Sequence, residues 1–249
     1  MNFFYYGALY DLQQAAEELG YTSAAEALTQ RLATLRDGLM ARYWSEEHAA
    51  FVDCTVTDET GAERPFFSEH TLSLALRYGL VPAQHVSHVL ELLTNGTVPD
   101  ASPLHKVQKY WTLGEYGRAA AILAEVRTKW LGMSSIEATG TCQESWNVDP
   151  DGGGAYCHSA STAPVHTLMA YVLGVRPTKP GFEEFVVHPD PGDLAYANGT
   201  VPTPYGDVAV SWTVDGGAFQ LQVGVPAAYQ LIEETTLDGR VLRRYRRQP

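Results

Sequence analysis

The chain has 249 residues, 45% of them hydrophobic and 18% charged, the balance of a folded protein long enough to bury a sizeable core. Its 29 acidic and 17 basic residues give a formal net charge of −12, which argues against nucleic acid or an anionic membrane surface as the main partner. No apolar run reaches the ~18 residues of a membrane-spanning helix.

The first 175 or so residues are predicted to be helical. Residues 3–19 place Phe4, Ala8, Leu12, Ala15 and Leu19 at helical spacing and stop at Gly20. A second helix opens at Ser23, with Glu26 three residues on as a capping box, and carries Ala27, Leu28, Leu32, Leu35, Leu39 and Tyr43 on one face. Residues 45–67 lack helical period and read as a long loop, with room for a short hairpin at "AFVDCTV". Helices are expected at 68–79 and 83–94, ended by Gly79 and by Asn95-Gly96. Another follows Ser102 and Pro103, and another spans 116–131 and stops at Gly132. A non-helical stretch, "MSSIEATGT", comes next, and a last helix runs from Pro164 to Gly174. That makes about seven helices joined as antiparallel hairpins. Beyond "GVRPTKPGF", closely spaced prolines and glycines punctuate short alternating runs such as "DVAVSW" and "FQLQVGV", the pattern of a small antiparallel β-sandwich. The boundary falls at 177/178. Five arginines in the last ten residues are expected on a solvated edge strand or a frayed tail.

The segment "TCQESWNVDPDGGGAYCHSAST", Thr141 to Thr162, suits neither a core strand nor a plain linker. Glu144 and Trp146 are two residues apart, so in an extended segment both side chains point the same way. A carboxylate against an indole is desolvated and suited to proton transfer, and the ring can wall a sugar pocket. The competing reading makes Glu144 a surface loop acid and Trp146 a core plug. His158 has two readings as well: a contact to a ligand hydroxyl, or a cap for the following helix. Ser159 and Ser161 read as turn or capping residues. "DPDGGG" at 149–154 lacks the spaced ligands of a calcium loop and reads as a flexible loop. Glu69 and His70 open a helix after the long loop, where an acid is favourable on electrostatic grounds alone. Cys54, Cys142 and Cys157 match no zinc spacing and are too few for a disulfide framework; Cys142 and Cys157 bracket the segment and are placed to pair, but free thiols in a cytoplasmic protein are expected. The N-terminus has no basic region or small-residue cleavage site of a signal peptide. Asn95-Gly-Thr and Asn198-Gly-Thr are formal glycosylation sequons. Serine-hydrolase, nucleotide-binding and zinc-protease motifs are not found.

The C-terminal half resembles bacterial α-L-rhamnosidases of the six-hairpin glycosidase group. The resemblance rests on "QESW", then "CHSASTAPVHTLMAYVLGVRPTKPGF", then "VPTPYGDVAVSW", and it extends upstream through "FSEHTLSLALRYGLVP" to the opening "NFFYYGALYDLQQAAEELG". It implies a partial (α/α)6 toroid over residues 1–177 followed by a β-sandwich over 178–249. It also implies inverting hydrolysis of terminal α-L-rhamnosides, in which one carboxylic acid protonates the leaving oxygen and a carboxylate about 6.5–9.5 Å away activates water. By position Glu144 is similar to the family's general base, and Trp146 and His158 fall where sugar contacts are expected. Glu69 and His70 match a motif near the site. Ala160 stands where the family's common His-Gly-Trp-Ser form has tryptophan, which removes one ring from the sugar platform.

A full six-hairpin barrel has twelve helices, and the family's general acid lies in the half preceding what is found here. The resemblance therefore implies the C-terminal portion of a larger enzyme. Its expected partners are a rhamnose-containing glycoside and either a second copy or a complementary N-terminal chain, with no nucleic acid or membrane and no metal or cofactor. Two rivals remain: a catalytically inactive carbohydrate-binding or assembly remnant of the same fold, and another six-hairpin enzyme of fucosidase-like or glucuronyl hydrolase type. The "TPYG…VSW" piece favours the rhamnosidase group over the latter.

Overall fold

The computed structural model describes residues 2–148 and 153–248. It divides into two compact units, Met1–Thr112 and Leu113–Pro249. The division falls inside a helix.

The first unit opens with helices α1 (Asn2–Glu18) and α2 (Thr22–Tyr43), which pack as an antiparallel pair. The capping box expected at Ser23 is not used. The Ala25 N–H already bonds the Tyr21 carbonyl, so Tyr21 is the N-cap and Ser23 lies within the first turn, too far along to cap it. The stretch 45–67 is more ordered than its composition suggests. Strand β1 (Trp44–Ser45) pairs with β2 (Ala50–Phe51), and β3 (Cys54–Thr57) with β4 (Glu63–Phe66), giving two antiparallel hairpins. Strand β3 is exposed at every residue, so it has no apolar alternation to read. Its register is set at the turn, where Asp58 Oδ1 accepts the N–H groups of Thr60 (2.9 Å) and Ala62 (3.1 Å).

Helix α3 (Glu69–Arg77) starts at Ser68, whose hydroxyl accepts the Thr71 N–H. A single 3₁₀ turn leads into α4 (Val86–Thr94), and another, opened by Pro103, into α5 (Lys106–Glu115). The buried side chains of this unit include Phe3, Leu39, Phe51, Leu72, Leu76 and Val89. Phe51 is the aromatic hub, edge-on to both Phe3 and Trp44 at 5.1 Å.

In the second unit α6 (Ala119–Glu125) runs on into a π-turn ending at Trp130. The stretch expected to be non-helical contains α7 (Ser134–Thr139), closed by Gly140 in the left-handed region at φ 69°. Its six residues are mostly polar and too short to show a period. Helix α8 (Ala163–Thr167), with Pro164 in its first turn, also continues as a π-turn, to Val172.

Sheet structure begins at β5 (Val175–Pro177), a few residues before the change in composition, and continues with β6 (Glu184–Val187), β7 (Tyr196–Thr203), β8 (Gly206–Asp215), β9 (Ala218–Gly224), β10 (Tyr229–Leu237) and β11 (Arg240–Arg247). They form two antiparallel sheets, in the orders β10-β11-β6-β5 and β7-β8-β9. One core serves both: Phe185 and Val187 from the first sheet and Val201, Val208, Val210 and Trp212 from the second share it with Val172 and Leu173. The Trp212 indole donates to the Val172 carbonyl at 2.8 Å, tying the sheets to the end of the last helix.

The arginine-rich C-terminus is neither an edge nor a tail. Strand β11 is paired on both sides, and its arginines meet acids on the neighbouring strands: Arg243 with Glu234, Arg244 with Glu233 and Glu184, and Arg246 with Glu184. Opposite charges directly across a ladder stabilise the pairing, so a run of cations is accommodated in an inner strand. Among the described residues no helix is long and apolar enough to cross a membrane.

Candidate functional site

Glu144, Trp146 and His158 lie on two limbs that run side by side. The Glu144 N–H donates to the Ala155 carbonyl at 2.9 Å, the His158 N–H to Cys142 at 2.8 Å, and the Thr141 hydroxyl to Tyr156 at 2.6 Å. The span joining the limbs includes Asp149–Gly152, which lie outside the described residues together with most of the "DPDGGG" loop. Glu144 is exposed. The desolvation expected from an adjacent indole is therefore missing, because Trp146 packs elsewhere. Its ring is edge-on to Trp130 at 4.9 Å, with the Lys129 ammonium 5.5 Å from it.

Trp130 links the two limbs. Its indole N–H donates to the Ser161 carbonyl at 3.0 Å, and the Ser161 hydroxyl lies 3.3 Å from His158 Nδ1. Trp146 and His158 are thus joined through Trp130 and the buried Ser161, and His158 precedes the 3₁₀ turn that leads to α8. His158 is half-buried, and although it is the N-cap residue of that 3₁₀ turn its side chain makes no capping hydrogen bond.

The residue that fixes this segment is one the sequence did not single out. Gln143 is buried, accepts from the Ser134 hydroxyl and the Ser135 N–H, and donates to the carbonyls of Ser145 (2.8 Å) and Trp146 (2.9 Å). It anchors the backbone on either side of Glu144 to the start of α7. A glutamine beside a candidate acid carries no such signal in sequence, because its partners are backbone groups of a helix that was itself illegible. The three cysteines are free, and burial together with the neighbouring Cys157 pushes the Cys142 thiol up, away from the reactive thiolate.

Glu69 and His70 belong to the first unit. Glu69 is buried, its carboxylate bonded to Lys106 Nζ (2.7 and 2.9 Å), Lys109 Nζ (2.6 Å) and the Ala101 N–H (2.9 Å). Lys106 also meets Asp100 at 2.9 Å. Helix α3 thereby grips the start of α5 through charge, beyond any helix-dipole effect. His70 stands edge-on to His105 with ring centroids 4.5 Å apart. Burial, and after it the neighbouring His105, pushes its pKa below the usual imidazole value, against the pull of Glu69 and Asp53.

The chain thus runs from helices into two antiparallel sheets that share one core, with an exposed carboxylate on a segment near a pair of edge-on indoles. Two families match in sequence: the mannosylglycerate hydrolase MGH1-like glycoside hydrolase domain over residues 1–101, and the bacterial alpha-L-rhamnosidase C-terminal domain over residues 174–231.

Relatives point the same way. An alpha-L-rhamnosidase of Alteromonas sp. (strain LOR) is 26% identical over 231 residues, covering 86% of this chain and 24% of that protein. The solved GH78 family rhamnosidase of Bacillus sp. GL1 superposes with a TM-score of 0.75 at 26% identity, over 89% of this chain and 24% of that one. The alpha-L-rhamnosidase of Aspergillus terreus gives 0.78 at 19% identity, over 97% and 28%, a likeness of fold alone. The chain is similar to α-L-rhamnosidases over most of its length, and it spans about a quarter of the length of these relatives.

Proposed function

We propose that this chain supplies the general-base side of an α-L-rhamnosidase-type site that cleaves terminal α-L-rhamnosides with inversion. The observation that carries the reading is the placement of Glu144: a solvent-facing carboxylate whose flanking backbone is pinned by Gln143, two residues from Trp146 and its edge-on contact with Trp130. In this reading Glu144 takes a proton from the attacking water on the face of the sugar opposite the leaving group. Trp146 and His158 contact the sugar, the indole through its ring face and the imidazole through Nε2, since Nδ1 faces the Ser161 hydroxyl. Glu69 and His70, within the first unit, are substrate-binding residues in this reading. The helices over 1–177 form part of an (α/α)6 toroid, residues 178–249 are its β domain, and the general acid is supplied from outside residues 1–249. A cytoplasmic site of action fits the three free thiols.

The test is nitrophenol release from an aryl α-L-rhamnoside by the purified chain, with Glu144→Gln alongside. Loss of a general base lowers turnover by ~10²–10⁴-fold while rhamnose binding persists. Turnover that Glu144→Gln leaves untouched refutes the assignment. A folded chain that binds rhamnoside but never turns it over fits a site whose acid lies outside these residues or the non-catalytic remnant, and turnover regained on adding the missing acid side separates the two.

A further inference from the structure

The two sheets of the second unit present opposite surfaces to solvent. Strand β11 and its neighbours are laced with Arg–Glu pairs. The outward face of β7-β8-β9 carries no cation and only two acids, Asp207 and Asp215, at the two ends of β8.

Register aligns that face in rows across all three strands. Tyr196 stands opposite Thr213, which stands opposite Gln220. One row along, Asn198 faces Ser211, which faces Gln222. Among the described residues, none of these six side chains hydrogen-bonds another protein group. In the row beyond, Ala209 and Gly224 leave almost no side chain, so the face hollows into a cleft of about 490 Å³. Tyr196, one row outside the lining of the cleft, is 67% exposed.

We propose that this cleft binds an uncharged oligosaccharide or polysaccharide chain, at a surface separate from the Glu144 segment. An amide offers a donor and an acceptor side by side, and a hydroxyl offers both on one atom, which matches the vicinal hydroxyls of a sugar. A tyrosine ring covers the apolar C–H face of a pyranose while its hydroxyl stays wet. Strand geometry sets Tyr196 and Asn198 about 7 Å apart on one face, and three strands span on the order of 10 Å, a platform for neighbouring sugar units. Nucleic acid would need cations here and an apolar partner would need a greasy face. Neither is present.

The full chain would be run through native gels containing soluble galactan, mannan or dextran, with Tyr196→Ala, Asn198→Ala and Gln222→Ala beside it and circular dichroism to check folding. Retardation by at least one of these is expected. Each substitution should weaken it about tenfold, or ~1.4 kcal/mol. Glu233→Gln, on the other sheet, and Glu144→Gln should both leave it unchanged, so the cleft and the hydrolytic reading fail independently. No retardation in any gel overturns the proposal, as does retardation indifferent to all three substitutions. A dimer abolished by Ser211→Arg would give the face to a second copy instead. A covalent glycan found on Asn198 by mass spectrometry, through the Asn198-Gly-Thr sequon, would equally refute a site for free glycans.

Discussion

Replacing Glu69 by Gln keeps the side chain's size and removes its charge. Lys106 has no exposed surface and Lys109 is 6% exposed, so both ammonium groups stay out of water when their shared carboxylate goes. Breaking a buried ion pair by deleting one partner costs ~3–5 kcal/mol, because the remaining charge is left poorly compensated. Lys106 keeps Asp100, which places the expected loss at the lower end, ~3 kcal/mol. With a urea dependence of roughly 2 kcal/mol per M, the unfolding midpoint of the first unit should fall by ~1.5 M. Amide hydrogen exchange at α3 and α5 across a urea series reads that unit directly, and protection of both helices should fall together. A loss below ~1 kcal/mol would mean that water reaches the lysines, and the ion-paired grip of α3 on α5 would be wrong. The same variant bears on function: if Glu69 acts only through the lysines, binding of substrate should fall in proportion to lost structure and not beyond it.

Three further outcomes follow from the structure. Gln143→Leu should cost ~1–3 kcal/mol by leaving the Ser145 and Trp146 carbonyls without their donor, and should raise exchange along that loop well before global unfolding. Gly174 sits at φ 84°, and a methyl group there would run into the His188–Pro189 backbone. Gly174→Ala should therefore lose at least the ~1–3 kcal/mol of left-handed strain, and a melting temperature equal to the parent's would refute the close approach. His70 and His188 both have imidazoles pushed below the ordinary value, mainly by burial. Above an unfolded pKa of ~6.5 both states are neutral and the stability is fully present. As pH falls through that value the unfolded chain takes up protons first, so stability declines until the folded-state values are passed. Urea midpoints measured from pH 7.5 to 5 should fall, and His70→Gln and His188→Gln should each flatten the slope. Unchanged slopes in both variants would remove burial as its cause.

Sequence alone determined where apolar period or turn chemistry is local. Helices α1, α3 and α4 appear near their expected bounds, because each repeats an apolar face and meets Gly20, Gly79 or Asn95-Gly96 at its end. The β domain was legible from alternation in "FQLQVGV" and from its prolines, and "QESW" with its flanking motifs pointed to the glycosidase group. Everything set by distant partners waited for the tertiary structure. The arginines of β11 look like a solvated tail until Glu184, Glu233 and Glu234 are seen beside them. Helix α7 is too short and polar for a period and is held by Gly140 and Gln143. Glu69 reads as a helix-start acid, yet its charge belongs to lysines about 40 residues on. Glu144 is exposed while Trp146, two residues on, sets its indole edge-on against Trp130, a partner 16 residues earlier in the chain. A chain's local forces choose its elements; which charges are buried, and against what, is decided by residues that only folding brings together.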